Sequence, residues 1–305
     1  MIEHDNVYDA LTVDNGNAQW AFGTDFDDPL AGVDTSVPDD IDAGLLAQYC
    51  IMLGDDALIS AQRLIEWITR APELEQELGM ANMALDLLGQ ARLLFTRASA
   101  ADPTVVPYIS PTSPAPPDDR LAFFRSQEEF RCVRICELDN GDFAHTIVRM
   151  LIFSTWRLGL FERLTESRDP FLAAVSHKWC QELAYHRDYA ARWTVILAGG
   201  SPGSRRRTTD ALNFLWPYTE ELWATTAEEL TLADKGVAVD AHTIASDFHE
   251  TITHVMRAAE LTPPQGISTG TLAGRAGRDG VHTEALGRLL TELQSVARAD
   301  PEGRW

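Results

Sequence analysis

Between Ala43 and Ala98 apolar residues recur at helical spacing. Leu46, Cys50, Leu53, Ala57, Ala61, Leu64 and Ile68 follow one another at steps of four and three, which lays a continuous apolar stripe along a helix of about seven turns. Pro72 then stands where a first helical position is expected, with Glu73 and Glu75 in a first turn whose dipole favours anions. The helix predicted from there carries Leu74, Leu78, Ala81, Leu85, Leu88, Arg92 and Phe95 as its core stripe. Only a few residues around Ala71 separate the two helices, so they pack antiparallel.

Asp102 to Asp119 holds six prolines, which remove amide donors and fix φ, so this stretch is an extended surface connection. A short helix is predicted from Arg120 to about Leu138, then a turn at Asn140-Gly141-Asp142 whose aspartate can cap the next helix. That third long helix runs to about Ser167, with Ile147, Met150, Leu151, Trp156, Leu158 and Phe161 among its apolar residues. Asp169-Pro170 opens the fourth, which Gly199-Gly200 stops after about Leu197. Helical patterns continue over Thr208 to Ala227, with a break or kink at Pro217, over Asp240 to Leu261, and over His282 to Ala299. Pro263 to Gly280 reads as a glycine-rich loop. No run alternates like a strand, so the class is all-α: a four-helix bundle with a long crossover and additional C-terminal helices, the arrangement of ferritin-like folds.

The formal charge is −21, from 46 acidic and 25 basic residues, a balance that repels phosphate backbones and anionic lipid. Nucleic acid and membrane surfaces are therefore not expected partners. Residues 1–42 hold eleven acids and no Lys or Arg, the composition of a disordered or loosely draped tail, although Tyr8, Trp20 and Phe22 could dock on a partner. The helical domain is expected over 43–305. Cys50, Cys132, Cys136 and Cys180 sit inside helical patterns without Cys-x-x-Cys spacing and read as reduced core thiols of a cytoplasmic protein. The N-terminus lacks a signal-peptide pattern, and no stretch approaches the apolar length of a membrane span.

Ferritin-like bundles often hold two irons through one Glu on each of two helices and Glu-x-x-His on the other two, because i and i+3 project to one side. That pattern is missing. His186 has Leu183 at i−3 and Glu182 at i−4, Asp86 has Gly89 at i+3, and Leu87 has Gln90. Asp142/His145, Asp279/His282 and Glu250/His254 with Asp247 pair acids with imidazoles, but at a helix start, at a loop and on a face read as solvated. Gly266 to Gly280, with Arg275 and Arg278, lacks the order of a phosphate loop and reads as surface loop. No Ser/His/Asp or Cys/His nucleophile assembles.

Trp67-Ile68-Thr69-Arg70-Ala71-Pro72-Glu73-Leu74-Glu75, Leu85-Asp86-Leu87-Leu88-Gly89-Gln90-Ala91-Arg92, Asn140-Gly141-Asp142-Phe143-Ala144, Glu166-Ser167-Arg168-Asp169-Pro170, Tyr185-His186, Gly236-Val237-Ala238-Val239-Asp240 and His282-Thr283-Glu284 before Leu286-Gly287 carry a resemblance. From about residue 43 to Trp305 the chain resembles the C-subunit family of the multicomponent phenylacetyl-CoA epoxidase (phenylacetate-CoA oxygenase); the acidic tail is not part of that family's pattern. The resemblance implies a ferritin-like, non-catalytic structural subunit with no cofactor of its own. It also implies a homologous catalytic subunit with a di-iron centre, a small bridging subunit, and a reductase with FAD and an iron–sulfur cluster fed by NADPH. Together these would use O2 to form the ring 1,2-epoxide of phenylacetyl-CoA in aerobic phenylacetate degradation. His186 would then be a remnant at a ligand position, with Asp86, Gln90 and Glu182 as polar neighbours of a vestigial site. Two other readings stay open: a di-iron oxygenase with unorthodox ligands Asp86, Glu182 and His186, and a stand-alone helical scaffold or acyl-CoA binder.

Overall fold

The computed structural model of the protein describes residues 33–264, 272 and 275–303. Most of the acidic segment, with Tyr8, Trp20 and Phe22, and residues 265–271, 273 and 274 of the glycine-rich loop lie outside them. Asp42 caps α1 (Ala43–Ile65) by accepting the Leu45 amide at 3.0 Å. The predicted stripe is buried from Leu46 to Leu64, whereas Ile68, 39% exposed, has passed into the following turn. There the Trp67 carbonyl accepts the amides of Arg70 and Ala71 at 2.9 and 3.0 Å, and Thr69 takes a left-handed backbone (φ 72°) that a β-branched residue rarely adopts. Because this turn occupies the chain through Ala71, Pro72 precedes α2 (Leu74–Ala101) instead of opening it, and extended Glu73 is the cap.

The face of α2 also differs from expectation. Its core side is Met80, Met83, Ala84, Leu87, Ala91, Leu94 and Ala98, all at most 2% exposed, together with Phe95 of the predicted stripe. Leu74, Leu78 and Leu85 of that stripe are 65%, 56% and 64% exposed. Both stripes have steps of three and four, and periodicity alone does not choose between two apolar faces of one helix.

Asp142 caps α5 (Phe143–Leu164) through the His145 amide, and Asp169 caps α6 (Pro170–Gly199) through the Leu172 amide with Pro170 in the first turn, as the sequence predicts. α1 packs on α2, α5 on α6, and α2 runs beside α6, closing the four-helix bundle. The predicted single helix from Arg120 to Leu138 is instead α3 (Pro117–Phe123), a 3-10 turn at Gln127–Glu129 and the short α4 (Arg134–Glu137). The reason lies in α1. Asp55 accepts the Arg131 amide at 2.8 Å and Asp56 the Val133 amide at 2.9 Å, holding buried Phe130, Cys132 and Val133 outside a helix.

The C-terminal third wraps this bundle. α7 (Pro202–Leu215) opens earlier than predicted, on a Ser201 cap, and gives way at Pro217 to a 3-10 stretch, Trp216–Trp223. α8 (Ala227–Asp234), α9 (Ala245–Ala258), α10 (Glu284–Leu293) and α11 (Ser295–Ala299) follow. α7 and α9 cover α5 and α6, and α4 and α8 cover α1. No strand occurs among the described residues, and none of their helices is long and apolar enough to cross a membrane.

Candidate functional site

Four helices bring polar side chains toward the bundle interior, and the centre of that group is Arg157 on α5. It is fully buried between Trp156 and Leu158. Its Nε donates to Gln90 Oε1 on α2 at 3.0 Å and its Nη2 to the Leu53 carbonyl on α1 at 3.2 Å, while Nη1 has no hydrogen-bond partner among the described residues. The guanidinium lies 4.8 Å from the Phe161 ring centre and 5.6 Å from that of Phe153. Burial pushes its pKa down to about 10, partly offset by the Asp56 carboxylate, so it remains a cation at neutral pH.

From Gln90 the chain of contacts leads outward. Gln90 Nε2 donates to Glu182 Oε2 on α6 at 3.3 Å, and Glu182 lies 3.7 Å from the Lys178 ammonium. Burial raises the Glu182 pKa, against the Gln90 hydrogen bond, with the Asp86 charge adding to the rise. His186, 3% exposed, meets Asp86 through Nε2 at 2.9 Å. The structure therefore brings together Asp86 with His186 and Gln90 with Glu182, all on α2 and α6.

This donor set does not fit two irons. Asp86, Glu182 and His186 do not converge within 4.8 Å as a ligand trio among the described residues. The carboxylates on α1 are engaged elsewhere: Asp55 holds Arg125 and the Arg131 amide, Asp56 holds Arg278 and the Val133 amide. In their place the interior holds a fixed cation, which repels a metal ion at the energies of a low-dielectric site. The cavity beside His186, lined also by Ser60, Leu87, Cys136, Arg149 and Ser154, measures about 30 Å3. That is room for about one water molecule and far below the space an acyl-CoA needs.

One group of potential ligands does converge, outside the bundle interior: Cys132, Glu137 and His282. His282 Nδ1 lies 2.7 Å from Glu137 Oε2, its Nε2 donates to the Phe130 carbonyl at 3.0 Å, and the second Glu137 oxygen accepts the Thr283 amide. The direct nitrogen–oxygen contact leaves no room for an ion between them. Burial opposes charging of His282, but Glu137 overcomes it and raises the pKa, while burial and then Glu137 push the Cys132 thiol well up, keeping it protonated. The cluster is a hydrogen-bonded brace that ties residues 130–137 to the start of α10.

The other acid and imidazole pairs separate. Asp279 accepts the Ala276 amide instead of meeting His282, Asp142 is the α5 cap while the His145 ring packs 5.2 Å from Phe214, and Asp247 pairs with Arg163 at 2.8 Å. Glu250 and His254 line an open groove with Arg187 and Arg257. Sequence reasoning did not single out Arg157 or Glu137. The available signal was an arginine inside the otherwise apolar run Thr155-Trp156-Arg157-Leu158.

A family model described as "Phenylacetic acid catabolic protein" matches residues 34–305. The chain is also 36% identical over 260 residues to the C-subunit of the 1,2-phenylacetyl-CoA epoxidase of Escherichia coli (strain K12), a match covering 85% of this chain and 99% of that protein.

Proposed function

This chain belongs to the phenylacetic acid catabolic protein family, and from that premise we propose that it is a non-catalytic structural subunit of a multicomponent phenylacetyl-CoA 1,2-epoxidase. It pairs with a homologous subunit that carries the di-iron centre and supports it, while holding no cofactor itself. Completing the system in the cytoplasm are a reductase with FAD, an iron–sulfur cluster and NADPH, and a small bridging subunit. The observation that carries this reading is the buried Arg157 guanidinium, hydrogen-bonded to Gln90 inside the bundle, where a di-iron bundle would project carboxylates and imidazoles from its facing helices. The relative's role, that of an epoxidase subunit, supports the assembly.

Elemental analysis of the purified chain tests it. No stoichiometric iron and no turnover are expected from the chain alone; two irons per chain would overturn the reading in favour of a di-iron oxygenase with Asp86, Glu182 and His186 as ligands. His186→Ala separates the two further. A structural imidazole predicts a loss of about 1–2 kcal/mol as Asp86 is left unpaired, with turnover per folded complex unchanged. Full stability with abolished turnover would instead make His186 a ligand.

A further inference from the structure

α2 has two apolar seams and the rest of the described chain covers one of them. Leu74, Leu78, Ala81, Leu85 and Leu88 repeat at steps of four and three, the spacing by which one helix seats against another, yet Leu74, Leu78 and Leu85 are each more than half exposed. α6 runs antiparallel beside this seam. Gln90 meets Glu182, Asp86 meets His186, and Gly79 faces the Tyr189 ring, to which an added Cβ would be in ordinary contact at 3.5 Å. On α6 the matching outer positions Tyr185, Tyr189, Arg192 and Ile196 keep the same steps, with Tyr185 and Ile196 at 56% and 57% exposure. The α2 seam alone, from Leu74 to Leu88, is about 21 Å by 10 Å, roughly a quarter of the 800 Å2 a stable interface buries on each side, so the α6 stripe must take part.

We propose that the outer face of the α2–α6 pair is the docking surface for a separate helical subunit that lays an apolar helix seam between basic flanks. The assignment of that subunit as the homologous catalytic partner rests on the function proposed above. Charge decides the occupant. Glu73, Glu75 and Glu77 flank Leu74 and Leu78, and α2 carries no Lys or Arg before Arg92, which lies 3.2 Å from Asp118; on the α6 side Lys178 lies 3.7 Å from Glu182, which leaves Arg192 as one cation against those three acids. A second copy of this chain brings another −21 and the same acids. Residues 1–32 also bring acids and no Lys or Arg, so neither complements the face. A basic-flanked partner does, and would associate with a salt-dependent rate.

The test uses the full-length chain carrying Leu78→Glu and Leu85→Glu, with the purified di-iron subunit from the same source as probe. Both leucines are exposed, so the melting temperature should stay at the wild-type value while the dissociation constant rises about 30-fold or more. Glu73→Lys, Glu75→Lys and Glu77→Lys together should slow association and flatten its salt dependence. If the wild type binds the probe and the double variant binds equally well, this surface is wrong and the functional reading survives. Failure of the wild type to bind the probe would overturn both. A wild-type dimer that the double variant converts to monomer would make a second copy the occupant, and a gain in probe affinity on deleting residues 1–32 would make that segment the occupant; either result overturns the proposal.

Discussion

A cation with neutral hydrogen-bond partners is held at Arg157 by the surrounding packing more than by charge pairing. Arg157→Ala strands Gln90, empties a large volume and should cost about 3 kcal/mol, whereas Arg157→Met fills the space, removes the buried charge and should cost less than half as much. Urea unfolding of the two variants checks the order, and an alanine variant as stable as methionine would show that the volume does not matter. His145 supplies a pH signature. Burial pushes its pKa down to about 4 from 6.5, with Arg149 adding to the effect. The unfolded chain therefore binds this proton first, so stability present above pH 6.5 is lost as the pH falls toward 4, by about 1–2 kcal/mol after allowance for partial exposure. His145→Gln should remove that part of the decline in a melting series from pH 7 to 4. Asp86, Gln90, Glu182 and His186 were grouped by the family resemblance, not by spacing, and the structure pairs Asp86 with His186 and Gln90 with Glu182 across α2 and α6. Arg157 was not legible, since a single arginine in a long apolar helix reads equally well as a surface residue whose stem lies along the fold.

At the level of elements, caps were the most readable feature. Asp142 and Asp169 capture the amides three residues ahead, a local interaction that depends on little beyond the neighbouring sequence. Faces were less readable, and α2 shows why: an inner seam through Leu87 and an outer one through Leu85 have similar periodicity, and it is the tertiary packing of α2 against α1 that selects between them. Leu87→Ala should accordingly cost about 2–4 kcal/mol, and Leu85→Ala less than about 0.5 kcal/mol in the isolated chain. Equal losses by chemical denaturation would mean that the outer seam is covered. The stretch 130–133 failed as a predicted helix for a non-local reason, because its amides are taken by Asp55 and Asp56 some 76 and 77 residues earlier.

Over the whole molecule, buried arginine–carboxylate pairs join segments far apart in the chain. Arg125–Asp55 and Arg278–Asp56 fasten the crossover and the C-terminal region to α1, and Arg97–Asp169 joins α2 to the cap of α6. Arg97 also reaches the N-terminal segment: its Nη1 donates to the Thr35 carbonyl at 2.6 Å and Nη2 to that of Ser36 at 3.3 Å, in a side chain that is 1% exposed. Ile41 is buried, Asp40 pairs with Arg168 at 3.0 Å, and Asp42 is the α1 cap. Two truncations follow with different outcomes. Removing residues 1–32 takes away seven acids, no Lys or Arg and none of the contacts that Thr35, Ser36, Asp40 and Asp42 make, so the cooperative melt should be nearly unchanged. Removing residues 1–42 also takes the cap, worth about 1 kcal/mol, and two carbonyl acceptors of a buried guanidinium, worth about 1.5–3 kcal/mol each. The second truncation should therefore lower stability by about 3 kcal/mol or more, read as a fall in the urea midpoint. Equal melting of the two truncated chains would show that the Arg97 contacts with Thr35 and Ser36 do not stabilise the fold.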